Sequence, residues 1–99
     1  MSPELDIGRF DPAALELVTP TGERIALTPI ECRLLAWFIA NPGRVVSREE
    51  LLREVWGYAG GVRSRTVYTT IGRLRQKIER DPQKAEILVT DPGGYRLVP

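Results

Sequence analysis

Residues Ser64 to Asp81 read SRTVYTTIGRLRQKIERD. Arg65, Arg73, Arg75, Lys77 and Arg80 crowd into this stretch, opposed only by Glu79 before Asp81 closes it, in a chain whose formal net charge is +1. The remainder must be acidic on balance, and so uneven a distribution asks for an explanation. Set on a helix with Val67 at zero, Ile71 falls at about 40°, Leu74 at about 340° and Ile78 at about 20°, one narrow apolar stripe. The opposite arc, roughly 140° to 260°, holds Arg65, Thr66, Thr69, Gly72, Arg73, Gln76 and Arg80, with no acidic member. Thr70, Arg75 and Lys77 flank the stripe, and Glu79 stands at one shoulder. The pattern predicts an amphipathic helix over about 64–80 that turns arginine, threonine and glutamine outward.

Those side chains suit duplex DNA. Arginine clamps O6 and N7 of guanine with two hydrogen bonds, glutamine does the same for adenine, and threonine methyls meet thymine. Flanking Arg and Lys neutralise phosphates and set the register. A merely solvated cationic face is the plainer alternative, and Lys77 and Arg80 also suit the negative end of any helix.

Composition narrows the other choices. At 99 residues, 42% hydrophobic and 27% charged, the chain reads as one ordinary globular domain. Histidine is absent and Cys32 is the single cysteine, which excludes Ser-His and Cys-His nucleophiles, a cysteine zinc cluster and an intramolecular disulfide. Cys32 reads as a small buried hydrophobe. Glu49 and Glu50 are adjacent on a helix and cannot share one site. Gly60-Gly61 lacks the Lys-Ser/Thr of a phosphate loop. No run is apolar enough to span a bilayer, and the opening MSPELDIGRF does not read as a signal peptide. The expectation is a cytoplasmic protein that is not an enzyme and needs neither cofactor nor metal.

Upstream, LELVT (15–19) and RIALT (24–28) are short β-prone runs joined by a turn with Pro20 and Gly22, and LDIGRF (5–10) offers a further strand before Asp11-Pro12. An antiparallel sheet of three or four strands is expected over residues 1–28. A first helix opens on Thr28 as N-cap with Pro29 and Glu31 behind it, and stops at Asn41-Pro42-Gly43. A second opens at Ser47, where Ser47 and Glu50 are expected to form a capping box, and ends at Gly57. With the basic helix they make a three-helix core over 29–80. Residues 87–98 read as a hairpin, its turn Asp91-Pro92-Gly93-Gly94 of type II.

The order of these elements is that of a winged helix-turn-helix. The motifs LTPIECRLL, NPGRVVSREELLREVWG, SRTVYTTIGRLRQKIERDP and GGYRL resemble those of the OmpR/PhoB-type effector domain of bacterial response regulators, over roughly residues 15–99. The resemblance implies an α+β fold: a four-stranded antiparallel sheet, three helices with the third in the major groove, and a C-terminal hairpin wing. It places Arg73 at base edges, and Arg65, Thr66, Thr70 and Arg75 at positions that bind phosphates or bases; Thr69 and Gln76 on the outward arc, Lys77 on its flank and Arg63 ahead of the helix complete the candidate DNA contacts. Trp56 matches a phosphate-binding indole, with a core tryptophan as the alternative. The loop Gly57, Tyr58, Ala59, Gly60, Gly61, Val62 matches a segment that contacts RNA polymerase.

Tyr68 and Thr70 stand where the family carries Asp and His. Asp91 stands where many members carry a minor-groove arginine, and a carboxylate there is expected to repel phosphate. The resemblance further implies binding to direct repeats and a receiver or other sensor domain outside this chain. A winged-helix module that binds protein and has little DNA affinity is the rival reading.

Overall fold

The protein is described by a computed structural model, which covers residues 4–5, 8–57 and 64–98. Four antiparallel strands in sequential order open it: β1 (Glu4–Leu5), β2 (Gly8–Asp11), β3 (Glu16–Val18) and β4 (Arg24–Ala26). The expected third or fourth strand from LDIGRF is in fact two short strands. A side chain at Gly8 would put its Cβ 1.9 Å from the Val18 carbonyl oxygen, so only glycine lets β2 begin beside β3. In register, Phe10 opposes Leu17 and Leu17 opposes Ile25, one apolar rung across three strands that joins the core.

Helix α1 (Pro29–Ala40) carries the expected capping box. Thr28 Oγ1 accepts from the Glu31 N–H at 3.2 Å, and Thr28 N–H donates to Glu31 Oε1 at 2.9 Å. Leu34, Leu35 and Phe38 are fully buried, which makes this the central helix, and Cys32 is buried beside them. Helix α2 (Arg48–Glu54) is capped by Ser47, whose Oγ accepts from the Glu50 N–H at 3.1 Å. The reciprocal half of the expected box is absent, because the Glu50 carboxylate takes the Arg44 guanidinium instead.

Helix α3 (Ser64–Ile78) buries Val67, Ile71, Leu74 and Ile78, the predicted stripe. The hairpin β5 (Leu88–Asp91) and β6 (Gly94–Leu97) follows a 3-10 turn at Pro82–Lys84 that the sequence reading did not anticipate. Gly93, at φ 93°, takes the left-handed position of the turn. The hairpin does not stand free. Val46, between α1 and α2, exchanges two backbone hydrogen bonds with Tyr95, at 2.7 and 2.9 Å. A Cβ at Gly94 would lie 2.0 Å from the Val46 carbonyl oxygen, so this close approach requires glycine.

Two buried carboxylates hold α3 in place. Glu31, 2% exposed, meets Lys77 Nζ at 2.5 Å and so joins the start of α1 to the last turn of α3. Glu79, 8% exposed, accepts from three consecutive backbone N–H groups. Its Oε1 takes Glu86 at 2.8 Å and Ile87 at 3.1 Å, and its Oε2 takes Ile87 at 3.1 Å and Leu88 at 2.7 Å. The segment that leads into the hairpin is thereby bound to the end of α3. Among the described residues, no helix is long and apolar enough to cross a membrane.

Removing the Glu79 carboxylate leaves three donors without their acceptor, so Glu79→Ala lowers the unfolding free energy by about 3 kcal/mol in urea denaturation, and Glu79→Gln by roughly half as much. The second carboxylate adds a pH signature. Burial pushes the Glu31 carboxyl up, but the Lys77 ammonium and the Thr28 N–H outweigh it and bring it below its ordinary 4.5. A carboxyl lowered by folding contributes stability that is complete above the unfolded value and is lost as pH falls through the folded one. Glu31→Gln therefore costs about 2–3 kcal/mol at pH 7, reduced from the fully buried case because Lys77 is part exposed. In denaturation series from pH 7 to pH 3, its difference from the unaltered chain shrinks below pH 4.5.

Candidate nucleic-acid interface

The stripe that buries one side of α3 decides what the other side offers. Arg65, Thr66, Thr69, Arg73, Gln76 and Arg80 are all exposed, as the helical wheel places them, and Gly72 is half-buried. None of the ion pairs among the described residues involves Arg65, Arg73 or Arg80. Arg65 and Arg73 are exposed on the helix and Arg80 just past its end, since α3 stops at Ile78 and not at the expected residue 80, and no acidic side chain lies in the arc between them.

Thr69 Oγ1 donates to the Arg65 carbonyl at 3.0 Å. That bond spends its hydroxyl proton and leaves the methyl group and the oxygen lone pairs for a partner.

Three other candidates turn inward. Thr70 is 7% exposed, and its hydroxyl donates to the Thr66 carbonyl at 2.8 Å. Lys77 is held by Glu31. Arg75 reaches the hairpin: its Nε donates to the Leu88 carbonyl at 2.9 Å and its terminal nitrogen to Thr90 Oγ1 at 2.8 Å. Its guanidinium also lies 5.6 Å from the centroid of the Tyr95 ring, a cation–π contact. Burial pushes the Tyr95 phenol up, with Tyr68 acting in the same direction, so Tyr95 stays neutral under that cation. All three lie at the shoulders of the wheel, where a long side chain can reach a neighbouring element as easily as a ligand. The wheel alone gives no signal for which it does.

At the hairpin, Asp91 is not an isolated negative charge. Its Oδ2 accepts from Arg96 Nε at 2.7 Å. Asp91 opposes Gly94, so Arg96 lies diagonally across the ladder on the same face. Arg96 was missing from the sequence reading, although fixing the register from the turn would have found it. Trp56 is half-buried and packs against the core cluster. Arg48, at the first turn of α2, is exposed and lines a groove with Arg65, Tyr68 and Thr69, a neighbour that sequence distance conceals. Gly57 takes a left-handed φ of 75° after α2. Tyr58, Ala59, Gly60, Gly61, Val62 and Arg63 lie outside the described residues.

A family model described as "Transcriptional regulatory protein, C terminal" matches residues 22–97. The DNA-binding response regulator MtrA of Mycolicibacterium smegmatis is 41% identical over 83 residues, which is 83% of this chain and 36% of that protein. The transcriptional regulatory protein YvrH of Bacillus subtilis is 39% identical over 95 residues, 95% of this chain and 40% of that protein. Among solved structures, the response regulator DrrB of Thermotoga maritima, an OmpR/PhoB homolog, superposes with a TM-score of 0.87 at 30% identity, over 99% of this chain and 44% of that one. The chain thus spans less than half the length of each of these three relatives. With the sheet, three helices and hairpin in the order described, the chain belongs to the family of C-terminal domains of transcriptional regulatory proteins, of the OmpR/PhoB type.

Proposed function

We propose that this domain binds double-stranded DNA in a sequence-specific manner, as the effector domain of a response regulator acting in the cytoplasm. The observation that carries the reading is the outward face of α3 and its C-terminal edge: Arg65, Arg73 and Arg80, which form no ion pair among the described residues, with Thr66, Thr69 and Gln76, backed by a buried stripe and free of acidic residues. In the major groove, Arg65, Thr69, Arg73 and Gln76 read base edges, while Thr66, Arg80 and Trp56 meet phosphates and sugars. Arg75 and Lys77 serve chiefly to fix α3 against the hairpin and α1, to which they already donate, and the Thr70 hydroxyl is turned back onto the helix's own Thr66 carbonyl. Two relatives that match over most of this chain are named a DNA-binding response regulator and a transcriptional regulatory protein, which supports the same reading.

Finer features rest on the family resemblance. Two copies sit head to tail on direct repeats, about 10–11 bp apart as duplex geometry requires. The loop over 57–63 meets RNA polymerase, and a receiver or other sensor domain outside this chain governs pairing. On the hairpin, the Asp91–Arg96 pair keeps both charges occupied with each other, so the wing adds little and α3 carries most of the specificity.

Selection from a randomised duplex pool, followed by equilibrium binding to the enriched sequence, tests this directly. Neutralising about four to six phosphates per domain gives a slope near −4 to −5 in log affinity against log salt. A shallow slope with no enriched motif would favour a protein partner instead. Arg73→Ala weakens binding by about 10–100-fold and relaxes the preference at one base pair, read from a competition series of single-base variants. Asp91→Arg frees Arg96 from its pair and adds a second cation beside it. It tightens binding by about 5–10-fold and steepens the salt slope by about one unit. Unchanged affinity in that variant would remove the support for a silent wing.

A further inference from the structure

Tyr68 is the most exposed large hydrophobic side chain among the described residues, at 64%, and it stands on α3 itself. On the wheel it lies about 100° from Val67, on the flank that Arg75 shares at about 80°. Arg75 reaches the hairpin from that flank, so Tyr68, two turns earlier, faces the same side. The space beside Gly72, one turn on, is open, since an added Cβ there would meet nothing within 4 Å.

Two grooves meet at this ring. Arg48, Arg65 and Thr69 line the first together with Tyr68. The second runs toward the hairpin past Glu49, Asp91 and Tyr95. The first holds two arginines and no carboxylate, whereas in the second, which Arg48 also lines, Glu49 and the Arg96-paired Asp91 stand opposite that one cation. An anion beside Tyr68 is therefore drawn to the side of Arg48 and Arg65.

We propose that Tyr68 is a DNA-contacting residue whose hydroxyl donates a hydrogen bond to a backbone phosphate seated in the groove between Arg48 and Arg65. This rests on the reading of α3 as the major-groove helix. A side chain at the centre of the outward arc faces the floor of the groove and its base edges, whereas one at the flank meets the sugar–phosphate wall. The phenol projects the hydroxyl well beyond the helix surface, and its neutral O–H donates to phosphate oxygen without adding charge. The contact sets the depth and register of α3 and is indifferent to base sequence.

The test compares Tyr68→Phe, Tyr68→Ala and the unaltered chain on the duplex that the unaltered chain selects. Both variants should keep the thermal midpoint, because the ring is exposed. Tyr68→Phe is expected to weaken binding by about 5–20-fold, with the salt slope and the base preferences unchanged. Duplexes carrying a single methylphosphonate at each phosphate in turn should include one position at which the unaltered chain and Tyr68→Phe bind equally. Equal affinity of Tyr68→Phe and the unaltered chain on the native duplex overturns the proposal. So does a change of base preference in Tyr68→Ala that Tyr68→Phe does not share, since the ring would then be reading a base. If the unaltered chain retains no duplex at all, the DNA reading itself falls and takes this contact with it. Normal binding by the unaltered chain confines any failure to Tyr68.

Discussion

The relation between α3 and the hairpin depends first on one carboxylate. Glu79 stands just past the end of α3, nearly excluded from water, and gathers the N–H groups of Glu86, Ile87 and Leu88. Glu86 and Ile87 lie in the connection and Leu88 opens β5, so without Glu79 the half-buried Ile87 and the buried Leu88 would lose the acceptor for their N–H groups. Because Glu79 is covalently continuous with α3, the hairpin inherits the helix's position. Arg75 repeats the tie one turn earlier, from its guanidinium to Leu88 and Thr90. Val46 closes the third side by pairing with Tyr95. For the proposed binding to a duplex this rigidity matters, because a loosely hinged hairpin would add ordering entropy to every binding event.

The cationic count of α3 overstates the charge available to a ligand. Five basic residues stand between Ser64 and Asp81. Lys77 is matched by Glu31 and Arg75 is spent on carbonyl, hydroxyl and aromatic acceptors, while Arg65, Arg73 and Arg80 point into water. The division follows angle. Residues near the apolar stripe lie within reach of α1 and the hairpin, and those opposite do not. Arg48 restores part of the loss by bringing a cation from α2 to the edge of the same face.

At the hairpin the change from a family arginine to Asp91 looks in isolation like a lost contact. In the fold it is half of a diagonal pair with Arg96, and the tip of the wing is consequently less repulsive to phosphate than its sequence suggests. The half-formed cap of α2 is of the same kind. Ser47 and Glu50 have the right spacing for reciprocal bonds, but Arg44 offers the carboxylate a charged donor, which it prefers to a neutral N–H.

What the sequence by itself determined is everything governed by local periodicity and local stereochemistry. The four apolar positions of α3, the Thr28-Pro29-Glu31 start of α1 and the glycine-bearing turn of the hairpin each depend on residues within a turn or two of one another, and each is found where the pattern put it. The outward arc followed from the stripe, so the core of the candidate interface was legible as well. Only the tertiary structure decided which flanking cations are free, that Glu79 holds the wing, that Val46 pairs with Tyr95, and that Arg48 joins Arg65 and Tyr68. Those outcomes depend on which elements meet in space. A long side chain with several acceptors in range is claimed by whichever the packing brings nearest, and sequence spacing carries no record of that distance.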